Sequence, residues 1–264
     1  MKWKIVRILE IGLTAVLVIA LAMVIRTQVE CRQEADAQKE AAMLANLPPQ
    51  LQRYGQEFRG ENEPDPNLAL LAQVDLNALQ AENPDVVGWI CIPDTELSYP
   101  LLQGEDNAFY LSHTWQRKRN AGGSVFMAQT CNADFTDYHT IIYAHRMNNG
   151  SMFGTLKYYE RPDFWQEHPS VYVVTVDSVL RYDIFSAQEA GVRDILYCLD
   201  IEGNSLESEL LQYCINGSVI DTGLTPKAGD PILTLSTCTE RGHDTRWVVH
   251  GVLTQTYECS NKIR

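Results

Sequence analysis

Cys238 ends one β-like run of the sequence, and Arg246 opens the next run eight residues later. A cysteine reacts as its thiolate, which at neutral pH needs a neighbouring cation, usually a histidine. When a thiolate attacks an acyl carbon, the carbonyl oxygen gains negative charge and needs a fixed donor, and an arginine can serve. The stretch TLSTCTERGHDTRWVVHG therefore indicates thiol-based acyl transfer, provided that the fold supplies a histidine.

Among the six histidines of the chain, His145 has the most favourable position for this role. It closes the run TIIYAH and precedes a polar, glycine-bearing loop, and strand ends that meet loops are common positions for exposed chemistry. His243 lies between Cys238 and Arg246 and is the main local competitor, whereas His250 lies inside the last run. The other three stand beside turns, where we expect surface positions: His113, His139 and His168.

Strand alternation gives a geometric expectation for the cysteine and the arginine. Alternate residues of a strand share a face, so antiparallel pairing across the 239–245 loop places Cys238 opposite Arg246 on one side of the sheet. Two structural interpretations stay open. A strand cysteine can be a small buried hydrophobe, and Arg246 can pair with Asp244 or Glu240 on a solvated turn.

The elements that must position these residues are mostly strands. From Val86 onward, short runs rich in branched and aromatic residues alternate with turn residues, which predicts a mainly β barrel or sandwich. Two helical segments interrupt them, over 151–169 and 204–216. The predicted strands lie within 86–92, 97–103, 123–128, 139–145, 170–176, 179–187, 231–238 and 246–253.

The N-terminus predicts a membrane anchor over residues 1–26. The run from Ile8 to Ile25 is apolar except for Glu10, and at about 1.5 Å per residue it nearly crosses a hydrocarbon core of about 30 Å. Three basic residues among the first seven favour a cytoplasmic N-terminus, with the rest of the chain outside the cell membrane. A cleaved signal peptide is the rival interpretation, although no clean small-x-small cleavage site precedes Arg26.

The charge and the cysteine content limit which partners, disulfides and metal sites are expected. The net charge is −13, and because residues 1–26 hold four basic and one acidic residue, the external part carries −16 and should repel nucleic acid. The seven cysteines are an odd number, so in an exported protein at least one is free or paired between chains. The sequence has no CxxC, so a zinc site of the usual spacing is not expected.

Together these motifs resemble the sortases, cysteine transpeptidases of Gram-positive cell surfaces. TLSTC over 234–238 is similar to their TLxTC signature, Arg246 to their essential arginine, and His145 in IIYAHRM to their histidine. A papain-like order, with cysteine before histidine, does not match, and the caspase-type cysteine signature is missing. The segments SMFGTLKYY and QGEDNAFYL and the helix before the cysteine run are similar to class B members.

Two features depart from that class. Thr239 separates Cys238 from Glu240, whereas several class B enzymes have an acidic residue directly after the cysteine, and this leaves the fine substrate preference open. Six additional cysteines are many for the family.

The resemblance implies an eight-stranded sortase-type β-barrel with N-terminal helices and a helix inserted before the cysteine strand. The catalytic domain would occupy 70–258, after a helical stalk or linker over 27–69 and before a tail over 259–264. The groove that receives the substrate would be lined by Asn107, Leu111, Tyr143, Ser236 and Thr237.

The implied reaction has two steps and needs no metal or organic cofactor. Cys238 attacks the threonine carbonyl of an LPxTG- or NPxTx-type C-terminal sorting signal on a surface protein, while Arg246 steadies the oxyanion. His145 protonates the leaving amine and later accepts a proton from the incoming one. An amine of a peptidoglycan precursor, or a pilin lysine, then resolves the thioester.

Two other functions stay open at this point. A membrane-anchored cysteine peptidase would let water resolve the thioester. A non-catalytic surface β-domain would act as an adhesin or an assembly scaffold.

Overall fold

The predicted barrel is present in the computed structural model of the chain, which describes residues 2–48, 65–198, 201, 203–239 and 242–259. Eight strands close into one barrel in the order β1-β2-β3-β4-β7-β8-β6-β5. Every run that the sequence analysis assigned to a strand overlaps one, and β6, β7 and β8 extend beyond their predicted runs. The strands are β1 (Val86–Cys91), β2 (Ser98–Leu102), β3 (Val125–Met127), β4 (His139–Tyr143), β5 (Ser170–Val174), β6 (Ser178–Gly191), β7 (Ile232–Thr239) and β8 (Gly242–Glu258).

Helices precede the barrel and fill its longer connections, as predicted. The α-helices are α1 (Lys2–Leu44), α2 (Pro66–Leu71), α3 (Leu76–Glu82), α4 (Pro162–Glu167) and α5 (Asn204–Gly217). Short 3₁₀ helices cover Phe109–Leu111, Gly154–Glu160 and Ile195–Tyr197. Residues 49–64 of the predicted helical stalk or linker lie outside the described residues.

Alternation along β7 and β8 decides which side chains enter the barrel. Leu233, Leu235, Trp247 and Val249 point inward and belong to the main hydrophobic cluster, which fills the barrel. Burying a leucine or valine side chain stabilises a fold by about 1.5–3 kcal/mol. The side chains at the alternate positions, including Cys238 and Arg246, point to the outer face of the barrel.

Helix α5 covers part of that outer face. Leu210, Leu211 and Cys214 pack with Val248 of β8 in a second cluster. The covered stretch ends before Cys238, which is exposed.

The continuation of α1 beyond residue 27 packs on the opposite side of the barrel. Ala37, Ala41 and Ala45 recur at helical spacing and are buried in a third cluster with Trp89 of β1. Trp115 Nε1 donates a hydrogen bond of 2.8 Å to the Ala37 carbonyl. Small side chains allow this close approach, so this part of the predicted stalk lies against the barrel.

Candidate active site

Cys238 lies where β7 leaves the covered part of the sheet. Residues 232–237 are buried, whereas Cys238 is exposed. Within the described residues it forms no disulfide. The interpretation of Cys238 as a small core residue is therefore wrong, and its thiol can meet a substrate.

Arg246 faces Cys238 across the β7–β8 pair. The antiparallel register pairs Cys238 with Arg246, as alternation predicted, and a register shift follows at Thr239. Directly opposed residues have Cβ atoms about 4.5–5.5 Å apart. The guanidinium is half-buried and donates a 2.9 Å hydrogen bond to the Thr245 carbonyl. Its orientation is therefore partly fixed by its own strand.

His145 follows the end of β4, the strand that flanks β7 on the side away from β8. β4 pairs with β7 in parallel, and the register ends with Tyr143 opposite Ser236. The Thr237 hydroxyl donates a 2.8 Å hydrogen bond to the Ala144 carbonyl and keeps the chain beside β7 past the end of β4. Continuing this register by two residues places His145 alongside Cys238, at the strand spacing of about 4.8 Å.

The His145 ring is held by the loop that precedes β3. Its Nε2 lies 2.7 Å from the Leu111 carbonyl oxygen. A carbonyl oxygen can only accept, so Nε2 carries a hydrogen. The His145 carbonyl also accepts a 3.0 Å hydrogen bond from Phe153 N, which closes the loop after the histidine.

Three of the five predicted groove residues have side chains that are at least partly exposed to solvent. Asn107 is exposed, and its Oδ1 accepts a 2.7 Å hydrogen bond from Gln129 N. Leu111 is 40% exposed. Tyr143 is half-buried beside Phe126, and burial raises the pKa of its phenol.

The other two groove residues are buried. Ser236 and Thr237 are each 2% exposed, and both hydroxyls already have protein partners. Thr237 bonds Ala144, as above, and Ser236 shares a 2.8 Å hydrogen bond with the Tyr197 hydroxyl. Contact of these two side chains with a substrate stays a prediction.

Tyr197 is a site residue that the sequence did not single out. Burial raises the pKa of its phenol, while the hydrogen bond to Ser236 and the nearby Arg246 charge oppose that rise. A negative charge on Cys238 acts in the same direction as burial and raises the pKa of this phenol. Tyr197 ends a short 3₁₀ helix about forty residues before Cys238 and belongs to no motif, so no sequence signal marks it.

The other histidines have different surroundings. His250 is fully buried on the covered face of the sheet. The expectation that His139 lies at the surface is wrong, because it is 3% exposed and its Nε2 shares a 2.7 Å hydrogen bond with the Thr234 hydroxyl. His113 and His168 are partly exposed. The side chain of His243 lies outside the described residues.

Comparison with known proteins supports an enzyme of one family. Residues 90–254 match the model of the Sortase domain, and this span contains His145, Cys238 and Arg246. Sortase B of Listeria monocytogenes is 36% identical over 181 residues, which cover 68% of this chain and 74% of that protein.

Solved structures agree with the sequence match. The chain is similar to a Staphylococcus aureus sortase B–substrate complex, with a TM-score of 0.71 and 25% identity over 86% of this chain and 99% of that one. It is also similar to sortase B from B. anthracis in complex with AAEK1, with a TM-score of 0.69 and 28% identity over the same shares of the two chains. This chain therefore belongs to the sortase family, in class B, and is a cysteine transpeptidase that acts on sorting signals.

Proposed function

We propose that Cys238, His145 and Arg246 carry out the transpeptidation. The observation that supports this proposal is the strand order β4-β7-β8: Arg246 of β8 faces Cys238 of β7, and His145 follows the end of β4 on the other side of β7. The proposed substrate is a surface protein with a C-terminal LPxTG- or NPxTx-type sorting signal, which lies in the groove beside Asn107 and Leu111.

In the first step the Cys238 thiolate attacks the threonine carbonyl carbon. A C–S bond forms, and the carbonyl oxygen becomes an oxyanion that the Arg246 guanidinium stabilises. The tetrahedral intermediate then collapses, the peptide C–N bond breaks, and His145 gives a proton to the leaving amine. The products are a thioester on Cys238 and a free amine.

In the second step an amine of the acceptor attacks the thioester. A new C–N bond forms, His145 takes the proton of the incoming amine, and Cys238 leaves as a thiolate. We propose a peptidoglycan precursor amine, or a pilin lysine, as the acceptor at the surface of a Gram-positive cell. Bonds and protons balance without a metal or an organic cofactor.

We further propose that α1 anchors the enzyme in the cell membrane as a single span. Its part from Glu10 onward is long and apolar enough to cross a bilayer, and its large apolar side chains there, such as Ile11 and Leu17, are exposed. The basic residues before it favour a cytoplasmic N-terminus and an extracellular barrel. Tethering raises the local concentration of membrane-held substrates and lipid-linked acceptors.

The test uses fluorogenic LPxTG-, SPxTG- and NPQTN-like peptides with and without several amines. Mass spectrometry should find the acyl fragment joined to an amine. Cys238→Ala should abolish joining, His145→Ala should lower kcat by about 10²–10⁴-fold, and Arg246→Ala by about 10²–10³-fold, with the barrel still folded.

Two control variants keep the proposal falsifiable. Cys198→Ala removes another exposed thiol and should keep activity, whereas full activity in Cys238→Ala would refute the nucleophile. His243→Ala should also keep most activity, and loss there would move the proton transfer away from His145. Cleavage that never yields an amine-linked product would instead favour hydrolysis.

A further inference from the structure

A short basic segment stands out on a strongly acidic chain. The loop between the 3₁₀ helix at 109–111 and β3 contains Arg117, Lys118 and Arg119 in succession, and all three are exposed. The chain after residue 26 carries a net charge of −16, so a local concentration of cations there needs a physical explanation.

The loop lies against the first turns of α1 after the proposed membrane span. Asn120 Nδ2 donates a 2.9 Å hydrogen bond to the Glu30 carbonyl, and Trp115 Nε1 bonds the Ala37 carbonyl. Gly122 lies beside the Glu34 side chain, where an added Cβ would be 3.5 Å from Cγ. Along a helix axis, Glu30 is about 6 Å beyond residue 26. The basic loop therefore lies at the end of the barrel nearest the span.

Part of the local charge is neutralised within the protein. Arg117 forms a 2.6 Å ion pair with Asp85. Lys118 donates to the Gln116 side chain, which is neutral, so its charge is retained. Lys118 and exposed Arg119 are thus the cations through which this loop can meet an external anion.

We propose that the basic part of this loop, residues 116–119, binds anionic phospholipid headgroups and sets the orientation of the barrel on the membrane. This inference rests on the membrane anchoring proposed above. Charges interact within a screening length of about 8 Å at physiological salt. Asn120, which follows Arg119 in the chain, bonds the Glu30 carbonyl, about 6 Å along the helix axis from residue 26. Arginine and lysine both bind phosphate oxygens well. The rest of the acidic surface is repelled by the same membrane, so this end is the one that faces it.

The proposed orientation bears on the active site. The Ser124 hydroxyl donates a 2.8 Å hydrogen bond to the His113 carbonyl, and Ser124 N bonds the Tyr110 carbonyl. The loop is thereby joined to the segment whose Leu111 carbonyl holds His145. Docking of the loop would fix the height of the substrate groove above the lipid surface.

The experiment uses the full chain in nanodiscs. Hydrogen exchange of residues 112–124 is compared between phosphatidylcholine and an equal mixture of phosphatidylcholine and phosphatidylglycerol. We expect slower exchange on the anionic discs, by about fivefold per cation and so by about 25-fold for Lys118 and Arg119 together. High salt should remove the difference. A third arm adds soluble polyphosphate to the neutral discs.

Matched variants identify the cations. Lys118→Gln/Arg119→Gln should abolish the difference, whereas Arg193→Gln/Lys227→Gln, with the same charge change at exposed residues elsewhere, should keep it. Equal exchange on the two kinds of disc overturns the proposal, and so does a difference that persists in Lys118→Gln/Arg119→Gln. Protection by polyphosphate without protection by the anionic discs overturns it as well. If the chain does not enter discs at all, the anchor proposal fails as well, and that result is distinguishable from the others.

Discussion

The stability of the barrel should fall steeply in mild acid because of two buried imidazoles behind β7. His139 and His250 both bond the Thr234 hydroxyl, at 2.7 and 2.9 Å. Burial lowers the pKa of His139 from 6.5 to about 4, and burial together with neighbouring His139 lowers that of His250 to about 3. Within the described residues, His139 Nδ1 is buried with no hydrogen-bond partner, so a proton there would be unsolvated.

The sign of the effect follows from which state binds protons. Below pH 6.5 the unfolded chain protonates both imidazoles, while the folded chain keeps them neutral down to about pH 4. Acid therefore favours unfolding, and the loss begins near pH 6.5 and continues to about pH 4. Between pH 7.5 and pH 5 it amounts to about 2 kcal/mol per imidazole, or about 4 kcal/mol for the pair. This is a large part of a typical stability of about 5–15 kcal/mol.

Urea denaturation of the full chain in detergent micelles at the two pH values measures this loss. The variant His139→Gln/His250→Gln should lose about 4 kcal/mol less between pH 7.5 and 5 than the unmodified protein. His113→Gln, which changes a half-exposed histidine, should behave like the unmodified protein. Because β7 carries both Thr234 and Cys238, activity should fall together with folding.

Two results would refute the reasoning. One is an equal acid loss in the double variant and the unmodified protein. The other is an NMR titration of the folded protein in which either buried imidazole protonates near pH 6.5. The titration needs no substitution, so it stays decisive even if the double variant does not fold.

Two further substitutions test how the site is held. Gly154→Ala places a Cβ against the Met147 carbonyl oxygen and should shift the loop after His145, lowering the melting temperature and lowering kcat/KM for a sorting peptide by about 10²-fold; unchanged kinetics would show that the loop adapts. Tyr197→Phe leaves the buried Ser236 hydroxyl without its phenol partner and should reduce the free energy of unfolding by about 1–3 kcal/mol in urea titrations, whereas no change would mean that another group satisfies Ser236.

The sequence predicts the local features well because they depend on patterns within short stretches. Period-two alternation predicts the eight strands. It also predicts that Cys238 faces Arg246, since the two residues lie only eight apart on a hairpin. The family motifs and their order then predict the barrel.

The tertiary structure decides the features that depend on distant segments. The position of His145 beside β7 follows from the parallel pairing of β4 and β7, and no local pattern encodes that pairing. Tyr197 lies in the connection between β6 and α5 and contacts Ser236 of β7 through its hydroxyl. His139 stands beside a turn in the sequence but is buried because neighbouring elements cover it. Side-chain periodicity shows which face of a strand is apolar, whereas burial and long-range pairing depend on which elements pack there.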